Sequence, residues 1–168
     1  MAATVAALAL LGAARGNNAE DARTAPFLRE LPAVDRVEVA LLGPRLPRPD
    51  SSGASATAPP FPVYPYGDFA QVRAVRVLDA QDAARLAGLW RQQAFAAGQA
   101  RSCHKPAWGI RFFSGDKLLL ETSLSWECRN FYLPGLTDYR WWGLDTATPS
   151  AGALRDTLTG LFPSPAYR

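Results

Sequence analysis

The sequence predicts an α+β fold: a largely antiparallel sheet with two helices packed on one of its faces. Three observations support this class. Short segments in which apolar and polar residues alternate are typical of half-buried strands. A central segment and a closing segment carry apolar residues at spacings of three and four, which is typical of amphipathic helices. The resulting order is strand, strand, helix, strands, helix, which favours helices covering one face of the sheet.

Length and composition are those of an ordinary globular domain. The chain has 168 residues, of which 48% are hydrophobic, enough for one core of typical size. The formal charge of +3 is a weak basic excess. Nucleic-acid binding usually shows as a concentrated basic patch, so no nucleic-acid partner is predicted.

Residues 1–31 are predicted to be a signal peptide followed by a flexible segment, and residues 32–168 a single domain. The apolar stretch from Thr4 to Ala14 is too short to span a bilayer, and Gly12 and Ala14 supply the small residues that signal peptidase requires. No basic residue precedes this stretch, so the alternative is a loosely attached alanine-rich tail. No transmembrane segment is predicted.

The first strand is predicted where Val37, Val39 and Leu41 alternate with charged residues. A loop rich in Pro, Ser and Ala follows at 44–62, because its prolines and small residues do not sustain a helix or a central strand. The second strand is predicted at 72–78.

The first helix is predicted to begin after Asp79, which is a good N-cap residue. Its apolar stripe consists of Ala83, Leu86, Trp90, Ala94 and Ala97. Shorter strands are predicted at 130–133 and 139–144. The last helix is predicted to begin with Thr148 as N-cap and Pro149 at the first helical position, and to stop before Pro163.

The chain has two cysteines, Cys103 and Cys128, at the two ends of a predicted β-hairpin. A two-residue turn at Gly115-Asp116 pairs residues whose numbers sum to 231, and 103 plus 128 is 231. Matching the apolar faces of the two strands instead requires a sum of 230 or 232, with a bulge near Pro106 to absorb the offset. We predict a disulfide bond in either register. The alternative is two separate buried thiols.

His104 directly follows Cys103, so in a strand the two side chains point to opposite faces, a poor geometry for a thiolate–imidazole pair. We expect a surface histidine. Cys103, His104 and Cys128 with Glu127 would supply four zinc ligands, but sequence neighbours rarely both ligate tetrahedrally from extended chain. Phosphate loops and the common hydrolase motifs are absent from the sequence. No catalytic residue, metal site or cofactor is therefore predicted.

Aromatic and arginine residues around the end of the hairpin give the best binding hypothesis. They would form an exposed stacking platform for a sugar, a peptide or a single-stranded nucleic acid. The alternative is that these residues belong to the core, and a surface for a protein of the cell envelope is a rival of equal weight. The predicted binding residues are Arg111, Arg129, Phe131, Tyr132, Tyr139, Arg140, Trp141 and Trp142.

Residues 68–163 resemble a group of small uncharacterised bacterial proteins. The shared features are a Cys-x-x-Pro segment, here Cys103 to Pro106, an apolar hairpin, a Cys-(aromatic)-x-Cys segment and a closing amphipathic helix. Ser125 stands at the first cysteine of the third feature, so a three-thiol site is not available in this chain. The resemblance implies architecture and no activity. In an extended strand, Ser125 is expected to point away from Cys128.

The sequence thus predicts a non-enzymatic binding or accessory protein, exported to the periplasm or secreted, and stapled by a hairpin disulfide. An even number of cysteines favours an oxidising compartment. A cytoplasmic protein is the alternative location. The rival class is a thiol-redox or zinc-dependent protein that uses Cys103, His104 and Cys128.

Overall fold

The computed structural model describes residues 27–29, 32–46, 59–63, 68–94, 96, 103–134 and 141–163. Within them, one antiparallel sheet and two helices confirm the predicted α+β class. The sheet has seven strands in the order β2-β3-β1-β4-β5-β6-β7. The strands are β1 (Arg36–Leu46), β2 (Phe61–Pro62), β3 (Phe69–Leu78), β4 (Trp108–Ser114), β5 (Lys117–Ser125), β6 (Asn130–Tyr132) and β7 (Trp142–Gly143), and the helices are α1 (Ala80–Arg91) and α2 (Pro149–Gly160).

Both helices begin at the predicted caps. The side chain of Asp79 accepts a hydrogen bond from the amide of Asp82, and that of Thr148 accepts one from the amide of Ala151. Both helices bury apolar stripes in the core on one face of the sheet. The residues of the two stripes that lie in this core include Ala83, Leu86, Ala87, Trp90, Leu154 and Leu158.

The first helix is shorter than predicted. It ends at Arg91, whereas the apolar spacing predicted a stripe extending to Ala97. After the helix, the backbone pairs with β7 and with the residue two positions beyond it. Ala94 accepts a hydrogen bond from the amide of Asp145 at 3.0 Å, and the amide of Ala96 donates to Gly143 at 3.2 Å.

The predicted loop at 44–62 is strand at both ends. Residues up to Leu46 belong to β1, and Phe61–Pro62 form β2. The next strand, β3, begins at Phe69, earlier than the predicted start at 72. Two register shifts, one with the extra residue Arg73 in β3 and one at Gly43–Pro44 in β1, let β1 and β3 stay paired along their whole length.

Three described residues, 27–29, precede the predicted domain boundary at residue 32. Phe27 and Leu28 are buried in the core. Arg29 donates to the carbonyl oxygens of Arg91 and Gln93, which ties this segment to the end of α1. The predicted signal peptide lies outside the described residues.

The hairpin of β4 and β5 contains both predicted registers. Next to the turn, Ser114 pairs with Lys117 and Phe113 with Leu118, which is a sum of 231. Beyond it, Phe112 pairs with Leu120, and the sum of 232 continues to Trp108 and Leu124. The register changes at a bulge at Leu119, and the predicted bulge near Pro106 falls outside the paired residues of the hairpin. Gly115 takes a φ of +56°, which suits glycine at the first turn position.

The face of the sheet opposite the helices has a smaller core of its own. Phe61 packs directly over β4 at Gly109, where a Cβ atom would lie 2.6 Å from the ring. Only glycine permits this approach, so Gly109 lets β2 fold over the second face. The small core consists of Ala40, Leu42, Phe61, Val63 and Ala70.

Candidate functional site

The disulfide bond between Cys103 and Cys128 is present, as predicted. The Cα atoms are 5.8 Å apart, a separation typical of disulfides, and Cys128 is fully buried. Both cysteines lie beyond the paired residues of β4 and β5. The bond therefore joins the segment that enters β4, residues 103–107, to the turn that follows β5, residues 126–129. We call these two segments the disulfide corner.

Ser125 connects the same two segments by hydrogen bonds. Its Oγ accepts from the amide of Lys105 and from the amide of Cys128, each at 3.2 Å. The expectation that Ser125 points away from Cys128 is wrong. Strand β5 ends at Ser125, and the following turn brings the amide of Cys128 back over the serine hydroxyl. Because the strand ends at Ser125, strand alternation does not determine where Ser125 points relative to Cys128.

His104 is buried, with 2% of its surface exposed, and is not the surface residue that was expected. Its Nδ1 lies 2.7 Å from Asn130 Oδ1, and its Nε2 lies 2.8 Å from Ser123 Oγ. Asn130 Nδ2 donates to the carbonyl of Cys103 at 2.6 Å, which orients the amide with its oxygen toward the imidazole. Nδ1 therefore carries the proton, and Nε2 accepts the hydroxyl proton of Ser123.

The strand pairing explains why these partners meet. Ser123 is opposite Tyr132, and Ser125 is opposite Asn130, so all four side chains share the face of the sheet away from the helices. Leu124 and Phe131 occupy the helix-side core between them. His104 lies over this polar face, and the ring of Trp141 stacks on it with centroids 5.8 Å apart.

Burial lowers the pKa of His104 to about 4, and the hydrogen bond to Asn130 opposes this shift only in part. The imidazole is therefore neutral at ordinary pH. A neutral imidazole suits the arrangement, because it donates to Asn130 at one nitrogen and accepts from Ser123 at the other.

The order Ser123, His104, Asn130 resembles that of a nucleophile, a general base and an orienting group. Two facts argue against catalysis. Ser123 is fully buried, so its hydroxyl does not reach a substrate. A base with a pKa of about 4 is also far weaker than general bases that operate near neutral pH. The three side chains form a chain of hydrogen bonds that fixes residues 103–105 on the sheet. We call this chain the relay.

The groups at the disulfide corner that could bind a metal ion already have partners. Both ring nitrogens of His104 are engaged by side-chain partners, and the two cysteine sulfurs are joined to each other. In the part of the chain that the structure describes, no three His, Cys, Asp or Glu side chains cluster in a way that would hold a metal ion.

A cleft of about 280 Å³ lies beside the disulfide corner. One wall is the 104–106 segment, and the other comes from the end of β1 and from the small core of the second face. The lining residues are Gly43, Pro44, Arg45, Val63, Ala70, His104, Lys105 and Pro106. Most of this lining is apolar. We call this feature the corner cleft.

The two cations at the corner cleft are each paired with a carboxylate. Arg45 forms an ion pair with Asp68, and Lys105 Nζ lies 2.6 Å from Glu127 Oε1. The hydrogen bond from Lys105 to Glu127, followed by their charge attraction, raises the pKa of this lysine. The mouth of the cleft is therefore close to electrically neutral.

Two rings of the predicted stacking platform are buried and not exposed. Phe131 is fully buried against Phe27 and Trp90, and Tyr132 is 7% exposed. Trp141 stacks on His104, whereas Trp142 packs against the helix-side core. Within the described residues, alternation along the strands thus sends these rings to opposite faces of the sheet.

Of the remaining predicted binding residues, the structure describes Arg111 and Arg129, which lie on different elements. Arg111 lies on the second face, where its Nε is 2.6 Å from Glu121 Oε1 and its guanidinium covers the ring of Phe61. Arg129 is exposed in the turn after β5, with a φ of +52°. Tyr139 and Arg140 lie outside the described residues.

The relay and the corner cleft were not predicted from the sequence. The signal for the relay was the spacing of Ser123 and Ser125 at polar positions of an otherwise apolar strand, followed by Asn130. Buried polar groups need partners, so these residues could have been matched with the lone histidine. The cleft depends on the positions of Pro44 and Val63 relative to the 104–106 segment, which no pattern in the sequence indicates.

Comparison of the chain with family models, with curated proteins and with solved structures gives no match. No helix among the described residues has the length and apolar character needed to cross a membrane.

Proposed function

We propose that this chain is a non-enzymatic binding or accessory protein that is exported to an oxidising compartment and holds an apolar group of its ligand in the corner cleft. The observation that carries the proposal is that the disulfide fixes one wall of that cleft. Kinship with the group of small bacterial proteins that share the Cys-x-x-Pro segment and the hairpin is part of the same proposal.

Several interactions hold the wall formed by the 104–106 segment in place. Besides the disulfide, the amide of Lys105 donates to Ser125, that of Ala107 donates to Leu124, and the carbonyl of Ala107 accepts from Leu42. The relay adds the side chain of His104. Pre-organised walls favour binding, because a ligand then does not have to order them.

The chemistry of the cleft favours an apolar, uncharged group. Its lining is dominated by Pro, Gly, Ala and Val, and both cations at its mouth are already paired. A volume of about 280 Å³ is at the lower end of the range for small-molecule sites. This size suits one ring or a short branched chain.

The proposed export is supported by the disulfide. Disulfides form and persist in oxidising compartments and are rare where thiols are kept reduced. The buried position of Cys128 and the chain separation of 25 residues are typical of a structural bond. The apolar N-terminal stretch adds to this support at the level of the sequence.

The binding proposal is tested by saturation-transfer NMR with two probes, indole as an apolar ring and methyl glucoside as a sugar. Indole is expected to receive saturation from the protein. Pro44→Trp, at an exposed position on the cleft lining, is expected to abolish the indole signal by filling the mouth. Pro163→Trp makes the same change at an exposed position beyond α2 and serves as the matched control.

The proposal fails if indole receives no saturation, or if Pro44→Trp and Pro163→Trp leave the indole signal equally strong. If indole gives no signal and Pro44→Trp abolishes a signal from the glucoside, the cleft binds a sugar and not an apolar group. Circular dichroism of both variants confirms that neither substitution acts by unfolding the protein.

A further inference from the structure

The disulfide bond ties one wall of the corner cleft to a separate segment of the chain. His104, Lys105 and Pro106 line the cleft, and Cys103 directly precedes them. Its partner Cys128 belongs to the turn that follows β5. A change in the bond would therefore reach the cleft through the position of this wall.

The two cysteines differ in the room that surrounds them. Cys128 is fully buried, and its amide donates to Ser125 Oγ at 3.2 Å. Cys103 is half-buried. Two unbonded sulfurs need more room than a bonded pair, because heavy atoms that are not bonded to each other stay roughly 3.5–4 Å apart. In the dithiol form the room lies on the side of Cys103, so the start of the wall moves outward.

The start of the wall is attached differently from its end. At the end, Ala107 is held by two backbone hydrogen bonds, one to β5 and one to β1. At the start, Asn130 binds two consecutive residues. Its Nδ2 donates to the Cys103 carbonyl at 2.6 Å, and its Oδ1 lies 2.7 Å from Nδ1 of His104. An outward shift of Cys103 therefore also displaces the imidazole that lines the cleft.

We propose that the disulfide is an oxidation-dependent latch on the corner cleft, so that the cleft binds an apolar group tightly only after Cys103 and Cys128 have been joined. This inference rests on the proposed function, because it concerns the regulation of the same site. In the dithiol form the domain stays folded, but the wall is displaced and its pre-organisation is lost. The chain would thus bind its ligand after it reaches an oxidising compartment and not before.

The step that closes the latch is a thiol–disulfide exchange with a disulfide donor of that compartment. The Cys103 thiol, which is the less buried of the two, loses its proton and attacks the donor, and one donor sulfur leaves. The Cys128 thiol then loses its proton, attacks Cys103 Sγ in the mixed disulfide and releases the second donor sulfur. Two electrons and two protons pass to the donor, which becomes a pair of thiols.

Binding and oxidation are then coupled in both directions. If closing the latch raises the affinity for a ligand, the ligand favours the oxidised protein by the same factor, because the equilibria form one thermodynamic cycle. A measurement of either effect therefore predicts the other.

The test titrates the native chain with indole by NMR, before and after reduction with dithiothreitol. The oxidised form is expected to bind indole at least about fivefold more tightly than the reduced form. In mixtures of reduced and oxidised dithiothreitol, saturating indole is expected to raise the ratio of disulfide to dithiol protein by the same factor. Alkylation followed by mass spectrometry measures that ratio.

Cys103→Ser is the matched control, because it cannot form the bond. It is expected to bind indole as weakly as the reduced native chain, and dithiothreitol is expected to leave its affinity unchanged. Circular dichroism shows whether the reduced chain and the variant stay folded.

Three results would contradict the latch. Equal indole affinity of the oxidised and reduced forms would overturn it and leave the proposed function intact. No binding by the oxidised form would overturn both proposals. Unfolding of the whole domain on reduction would overturn the latch, because the bond would then maintain the fold and not the position of one wall.

Discussion

The disulfide corner and the outer edge of β3 differ in how many interactions hold each backbone. At the corner, a covalent bond, two hydrogen bonds to Ser125 and the His104 relay restrain two short irregular segments. At the edge, strand β3 has ten residues and pairs with β1 along one side, with a register shift at Arg73, whereas the described residues pair with its other side only at Phe69 and Ala70. Strand structure therefore does not mark the most restrained part of this molecule. The irregular corner has the larger number of covalent and side-chain restraints.

The largest expected effect comes from breaking the disulfide. Cys103→Ala and Cys128→Ala should each lower the free energy of unfolding by roughly 3–4 kcal/mol, because the cross-link restricts the unfolded chain over a loop of 25 residues. The measurement is urea denaturation without reductant. The double variant should lose about as much as either single variant, since all three lack the same bond.

If one of the single variants is neutral under these conditions, the two cysteines do not stabilise the fold as a pair. If the double variant instead loses the sum of the two single losses, each side chain contributes through packing. Either result would remove the covalent restraint from the description of the corner.

The next largest loss of stability is expected when the pH is lowered through the range in which His104 titrates. Between its ordinary value of 6.5 and about 4, the unfolded state binds a proton at His104 and the folded state does not. Stability is therefore complete above pH 6.5, falls as the pH decreases toward 4, and has then lost up to about 3 kcal/mol from this group. The measurement is the urea midpoint across this range for the native chain and for His104→Gln.

Subtracting the His104→Gln curve removes the contribution of the carboxylates, which titrate in both proteins. The difference in unfolding free energy should change with pH over this window, because glutamine keeps a polar side chain that does not titrate. A difference that stays constant from pH 6.5 to 4 would mean that His104 titrates equally in both states, and hence that it is not buried in the relay.

A smaller loss is expected at Ser125. Ser125→Ala leaves the amides of Lys105 and Cys128 without their acceptor, which should cost about 1–3 kcal/mol. Ser125→Cys should keep the fold but place a third thiol next to both cysteine segments, so peptide mapping should find some disulfide at residue 125. Exclusive Cys103–Cys128 pairing in that variant would contradict the position found for this side chain.

The smallest effect is expected at the edge. Val77→Thr should change stability by less than about 0.5 kcal/mol, because the side chain is 62% exposed and threonine keeps the branched shape of valine. Chemical denaturation measures the change, with Val37→Thr in the buried part of β1 as the contrast. A loss at Val77 as large as that at Val37 would show that this edge is covered in the native protein.

The sequence predicted the elements whose patterns are local. The caps at Asp79 and Thr148, the alternation in β1 and the turn at Gly115 each depend on a few adjacent residues, and each is found in the structure. The disulfide was also predicted, because counting residues outward from the turn of a hairpin shows which residues lie opposite each other.

The site could not be predicted in the same way. The relay brings together His104, Ser123 and Asn130 from three segments, and the direction of each side chain depends on the bulge at Leu119 and the turn at 126–129. The burial of Phe131, which was predicted to be exposed on a stacking platform, has a related cause. Phe131 and Trp142 are a cross-strand pair that packs toward the helices, and apolar burial prevailed over exposure.

Amide hydrogen exchange followed by NMR tests the contrast between corner and edge most directly. We expect slow exchange at the amides of Lys105, Ala107 and Cys128, each of which donates to an acceptor in the folded protein. Along Ala74–Leu78 we expect alternating slow and fast exchange, since amides facing β1 are paired and no described residue pairs with those facing outward. Fast exchange throughout the corner, or uniformly slow exchange along β3, would contradict the account.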